Sequence, residues 1–193
     1  MPVIERLKAL EILDSRGRPT VRTTCTLQGS AHPALRSAAA SVPSGASTGA
    51  AEALELRDRD PGRYGGLGCR KAVEHVNGTI QGALAGRDFS NQAALDQALV
   101  QLDGTPNKSR LGANAILSVS LAFARATARL NDLPLYEHLA SLVAPHPLQL
   151  PRPTINLFSG GKHAGGQVAI QDVLVVPLAA RTMDECLEHT CRV

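Results

Sequence analysis

The chain has 193 residues, 44% hydrophobic and 19% charged, with a net charge of +3 at neutral pH. This composition fits a globular chain of one domain, or of one domain plus part of another. It excludes a surface built on bulk attraction to nucleic acid or to an acidic membrane. No apolar run reaches the roughly 18 residues of a membrane span, so none is expected. With no Trp, three Phe and two Tyr, the core must be aliphatic, and the aromatic–basic alternation of a nucleic-acid platform is absent. Cys25, Cys69, Cys186 and Cys191 form no CxxC pair, which argues against a disulfide framework or a zinc knuckle. Cys186, His189 and Cys191 lie close in sequence but lack a fourth ligand. The start, Met1 to Arg6, carries no apolar signal core, so a cytoplasmic location is expected.

Residues 3–13 read as a strand, and Asp14-Ser15-Arg16-Gly17-Arg18-Pro19 as a turn. Val21, Thr23, Cys25 and Leu27 alternate with polar residues, the period of a half-buried strand. Residues 35–42 supply a third strand and complete an antiparallel meander. The period then changes. Val73, Val76, Ile80 and Leu84 mark a helix that stops near Gly86. Ser90 is placed to cap a second helix with Leu95, Leu99 and Leu102 on its apolar face. Ala113–Leu130 is apolar on nearly every side and reads as the buried central helix. Pro134 opens a short helix with Leu135, Leu139 and Val143 expected inward. Four prolines within 144–153 mark a linker, which gives domains at 1–144 and 145–193. Beyond it, Thr154–Phe158 and Ala169–Val176 read as strands, the second covered on both faces. Thr182 and Glu185 open a last helix as a capping box.

Three places carry the possible chemistry. The first is the loop Val42-Pro43-Ser44-Gly45-Ala46-Ser47-Thr48-Gly49. Such a Ser/Thr/Gly cluster is ordinarily a solvated turn. Its hydroxyls and glycine-exposed N–H groups also suit phosphate oxygens or a hard cation. The second is Ser159-Gly160-Gly161-Lys162-His163-Ala164-Gly165-Gly166. It is not a Walker loop, because no Ser or Thr follows Lys162 and Asn156 stands where the earlier glycine belongs. A lone His163 is weak evidence, since a lone histidine is more often a hydrogen-bonded structural residue. The third is Asp172, which opens an apolar run and needs either a partner or a task.

Several blocks, in order, resemble the enolase family. They are Ile12–Gly17 with Pro19-Thr20-Val21, Val42–Gly49 with Glu52–Asp58, Leu102–Thr105 with Asn107-Lys108-Ser109, Leu111–Leu117, Pro134-Leu135-Tyr136, and Gly160-Gly161 with His163-Ala164-Gly165. The resemblance implies an α+β N-terminal domain, a three-stranded antiparallel meander plus helices, followed by the first strands of an incomplete TIM-like α/β barrel. It implies Mg2+-dependent, reversible dehydration of 2-phosphoglycerate to phosphoenolpyruvate. It makes Ser44, Gly45, Ala46, Ser47, Thr48 and Gly49 a lid loop, with Ser47 a ligand of the second Mg2+. It gives His163 a substrate contact, and places Asp172 where the family has a catalytic, substrate-binding glutamate. It also implies a homodimer formed through the N-terminal domain around Arg16.

The chain departs from that pattern in two ways. Asp172 is one methylene shorter than glutamate, about 1.5 Å of reach, and a misplacement of about 1 Å can cost a hundredfold in rate. Ser159 and Lys162 likewise stand where Asn and Ser are usual. A closed barrel takes about 250 residues, whereas only residues 145–193 follow the first domain. The family's lysine base, general-acid glutamate and three metal carboxylates are therefore expected beyond Val193. The 193-residue chain is expected to be a fragment and inactive in isolation. Two alternatives stand beside this reading: a non-catalytic enolase-like binding protein or partner subunit, and an unrelated phosphate-binding module.

Overall fold

A computed structural model describes residues 1–29, 33–45, 49, 51–143 and 147–193, with the side chains of all but 33, 162 and 163. The chain divides into two compact units, Met1–Pro145 and His146–Val193.

In the first unit β1 (Ile4–Leu13), β2 (Pro19–Leu27) and β3 (Ser37–Ser41) form the expected antiparallel meander, in the order β1-β2-β3. The register sets Leu7 against Cys25 and Cys25 against Ala38, with Ala9, Thr23 and Ala40 in the next row. Period two sends these residues to one face, and all six are buried. That face packs on α4 (Ala113–Leu130), the expected central helix. Small residues at 38, 40, 115, 122 and 126 let sheet and helix approach closely. One polar pair crosses the interface. Ser118 donates to the Ala115 carbonyl, so Thr23 donates to Ser118 Oγ at 2.6 Å.

The outer edge of β1 is closed by side chains. Helices α1 (Arg70–His75) and α2 (Gln81–Leu84) are joined by a π-turn, Val76–Ile80. From it Asn77 accepts from Ala9 N at 2.7 Å and donates to Ala9 O at 3.1 Å, and Gln81 accepts from Leu7 N. An edge strand is thereby satisfied without a fourth strand. Val76, Ile80 and Leu84 are buried as expected.

Two local expectations differ. Helix α3 (Gln92–Asp103) is capped by Asn91, not Ser90; its Oδ1 accepts from Ala94 N at 2.8 Å. In α5 (Leu135–Ala140) Leu135 is partly buried, Leu139 is exposed and the buried residue is His138, while Val143 lies exposed beyond the helix. The helix begins one residue after Pro134, which is its N-cap. Burial pushes the His138 imidazole below its ordinary value.

In the second unit β4 (Ile155–Ser159) and β5 (Asp172–Val175) pair antiparallel. Among the described residues they make a two-stranded sheet and no closed barrel. The expectation that β5 is covered on both faces fails within this unit: Leu174 is 54% exposed, and only Val173 and Val175 are partly buried. The last helix, α6 (Met183–Arg192), carries the expected cap, Thr182 Oγ1 accepting from Glu185 N. Glu185 reaches back one residue further than a capping box requires, to Arg181 N at 2.6 Å. No helix among the described residues is long and apolar enough to cross a membrane.

Candidate functional site

The chain is pinned on both sides of the loop after β3. Val42 N donates to Val21 O at 3.0 Å, and Thr20 Oγ1 donates to Val42 O at 2.6 Å. On the return, Leu54 N donates to Asn107 O and Leu54 O accepts from Ala113 N, at 2.7 and 2.8 Å. Asn114 then holds both backbone groups of Leu56, at 3.1 and 3.0 Å. The segment 52–58 is therefore extended and tied to the start of α4. Gly112 makes this possible. Its φ is +96°, and a Cβ there would lie 2.5 Å from Leu56 Cβ.

An extended segment puts alternate side chains on one side, so Glu55 and Arg57 point together. The Arg57 guanidinium donates to Glu55 Oε1 at 2.5 Å and to Ser44 Oγ at 2.8 Å. Its other terminal nitrogen donates to the carbonyls of Pro19 and Leu67, both at 2.7 Å, and to Cys69 Sγ at 3.1 Å. Burial pushes the Cys69 thiol up to about 11, so a neutral sulfur receives that contact. Ser44 in turn donates to Glu55 Oε2 at 3.4 Å. A cavity of about 520 Å³ opens here, lined by Val42, Ser44, Gly49, Glu52, Glu55 and Asn114 among others.

Of the lid-loop residues read from the sequence, Ser44, Gly45 and Gly49 line this cavity. Ala46, Ser47 and Thr48 lie outside the described residues. His163 falls in a short 3-10 turn, Gly161–Ala164, and its side chain is likewise outside them. Asp172 opens β5 opposite Ser159. Its Oδ1 accepts from Ser159 Oγ at 2.7 Å and from Asn156 Nδ2 at 3.1 Å. The carboxylate is exposed and held from one side by two neutral donors. Gly160 closes this hairpin: a Cβ there would stand 2.1 Å from the Ile170 carbonyl oxygen. Asp172 belongs to the second unit and the cavity to the first.

Sequence reasoning assigned no role to Arg57, Glu55 or Asn156. A signal for the first two was present, a carboxylate and a guanidinium two residues apart in a non-helical stretch. Their convergence on Ser44 depends on a contact across thirteen residues, which no local pattern encodes.

A magnesium site needs several oxygen ligands, chiefly carboxylates and water. Among the described residues no group of three His, Cys, Asp or Glu gathers. Of the two carboxylates lining the cavity, Glu55 is paired with Arg57 and Glu52 is exposed. The described residues do not by themselves fit a magnesium centre.

Two family models match the chain. The model for the enolase N-terminal domain matches residues 4–139, and the model for the enolase C-terminal TIM barrel domain matches residues 147–193.

Proposed function

This chain belongs to the enolase family, and we propose that it serves the Mg2+-dependent, reversible dehydration of 2-phosphoglycerate to phosphoenolpyruvate, a carbon–oxygen lyase reaction. The observation that carries the proposal is the match over residues 4–139, together with a loop whose two stems are pinned beside an open cavity. In this reading 1–144 is the N-terminal domain and 145–193 opens the barrel domain. Removing a proton beside a carboxylate loads more negative charge onto an existing anion, and bound Mg2+ supplies the compensating positive field. This chain's own share is to bind and orient. Ser47 would offer oxygens to the metal, His163 would contact substrate, and Asp172, whose carboxylate Ser159 and Asn156 hold, would face the departing hydroxyl. Association as a homodimer through the first unit and a cytoplasmic location belong to the same proposal.

The 193 residues by themselves are proposed to be inactive, because the resemblance matches none of them to the family's lysine base, general-acid glutamate or three metal carboxylates. The second reading is a non-catalytic enolase-like binding protein or partner subunit. Phosphoenolpyruvate formation from 2-phosphoglycerate, followed by absorbance with Mg2+ and with EDTA, separates these. The 193-residue chain is expected to give no turnover, and steady Mg2+-dependent turnover would overturn that expectation. A chimera joining this first unit to the barrel of an active enolase is expected to turn over and to lose at least a hundredfold in kcat on S47A. A chimera that folds, stays inert and is indifferent to S47A favours the binding protein.

A further inference from the structure

We propose that Arg57 is a positioning residue that fastens the outgoing stem of the 42–49 loop, through Ser44, to the scaffold of the first unit. The inference rests on the reading of this loop as part of the enolase site, and it deepens that reading by naming what holds the loop's base.

The geometry is specific to a guanidinium. One terminal nitrogen faces inward, to the carbonyls of Pro19 and Leu67 and to Cys69 Sγ. The other faces the loop, to Ser44 Oγ at 2.8 Å and Glu55 Oε1 at 2.5 Å. The inward contacts fix the plane of the group against the start of β2 and the segment before α1. The outward nitrogen is thereby aimed at Ser44 before the loop contributes anything. A planar fork with donors in fixed directions spans two such sets of acceptors, and an ammonium does not. The side chain is only 15% exposed, which limits competition from water.

Ser44 completes the arrangement as acceptor and donor at once, taking a hydrogen bond from Arg57 and giving one to Glu55. Glu55 is needed for charge balance, since a largely buried guanidinium with only neutral acceptors would be costly. Arg16 adds a longer contact at 3.4 Å from its guanidinium to the Ser44 carbonyl. Beyond Ser44 the stem has no other described side-chain tie. The Arg57–Ser44 bond therefore sets the position of the outgoing stem at Ser44.

The test is 15N relaxation on the full 193-residue chain, in wild type, S44A, S44T and R57K. In wild type the amides of Ser44 and Gly45 are expected to show order parameters near those of the sheet. In S44A the Gly45 value is expected to fall below about 0.6, with the melting temperature and the Leu56 and Cys69 amides unchanged. S44T, which keeps the hydroxyl, restores the wild-type value. R57K loosens Gly45 as S44A does and also disturbs Leu67 and Cys69, because the inward contacts go with it. Equal Gly45 order in wild type and S44A, or no rescue by S44T, overturns the proposal. No substrate or metal enters this measurement, so its failure is distinct from a failure of the reaction reading, which the phosphoenolpyruvate assay detects.

Discussion

Asp103 carries a heavily loaded carboxylate of the first unit. It ends α3, is 1% exposed, and accepts from Thr105 N at 2.9 Å, from Leu111 N at 2.7 Å and from the Thr105 hydroxyl. Burial pushes its carboxyl up, but the hydrogen bonds from Thr105 and Leu111 and the charge of Arg110 outweigh that and hold it below the ordinary 3.8. Because the folded value is the lower one, its stabilisation is complete above the unfolded value and is lost as pH falls through the folded value. D103N is expected to cost about 2 kcal/mol at pH 6, since it leaves buried N–H donors facing an amide. In urea unfolding the gap between D103N and wild type should narrow between pH 4 and pH 2, and a gap independent of pH would refute the assignment. The resemblance had placed Asp103 in a matching block without giving it a task. The task is structural, holding the 104–111 loop that presents Gly112 and the start of α4. At the same scale, the doubt about the short reach of Asp172 gains a physical context: its carboxylate is oriented by Ser159 and Asn156, two residues within reach of an aspartate at that register.

At the scale of elements, the meander and helices were legible because period two and period 3.6 are written in residues a few positions apart. The misreadings were questions of phase. Ser90 and Asn91 are both competent caps, and the backbone chose Asn91 by beginning α3 at Gln92. In α5 the face turned inward carries His138 and leaves Leu139 exposed, a difference of one position. The π-turn in Val76–Ile80 was not legible at all, since its use is to aim Asn77 at a strand 68 residues away. Gly112 gives a test at this scale. G112A must adopt φ +96° and place its Cβ 2.5 Å from Leu56, so it is expected to lose about 3 kcal/mol by overpacking and strain. G17A, at φ +73° with nothing within 4 Å, is expected to lose only about 1 kcal/mol, the left-handed backbone cost alone. Equal losses in chemical denaturation would mean that the contact with Leu56 is not what requires glycine at 112.

At the scale of the whole molecule, the apolar core runs from Ile4 to Ala126 and lies entirely within the first unit. In the second unit Leu150, Ile170, Leu174, Leu178 and Leu187 are each more than half exposed. A unit of this size with so little buried apolar surface has little to set against chain entropy. A chain ending at Val143 is therefore expected to unfold in one cooperative transition, with a melting temperature within about 3 °C of the 193-residue chain. A drop of more than about 10 °C in scanning calorimetry would show that the second unit stabilises the first.

The sequence by itself determined the family, the strand and helix order, the aliphatic core and the position of the glycine-bearing loops. Each is set by residue type or short spacing, and the family by blocks of residues kept in order. Only the tertiary structure decided which donors meet which acceptors: Arg57 with Ser44, Asn114 with Leu56, Asn77 with Ala9, Ser159 with Asp172. The physical reason is directional. Burial depends on how apolar residues are spaced along a segment, which a sequence displays. A hydrogen bond needs two groups within about 3 Å and properly aimed, and chain stretches far apart in sequence acquire that relation only when they pack.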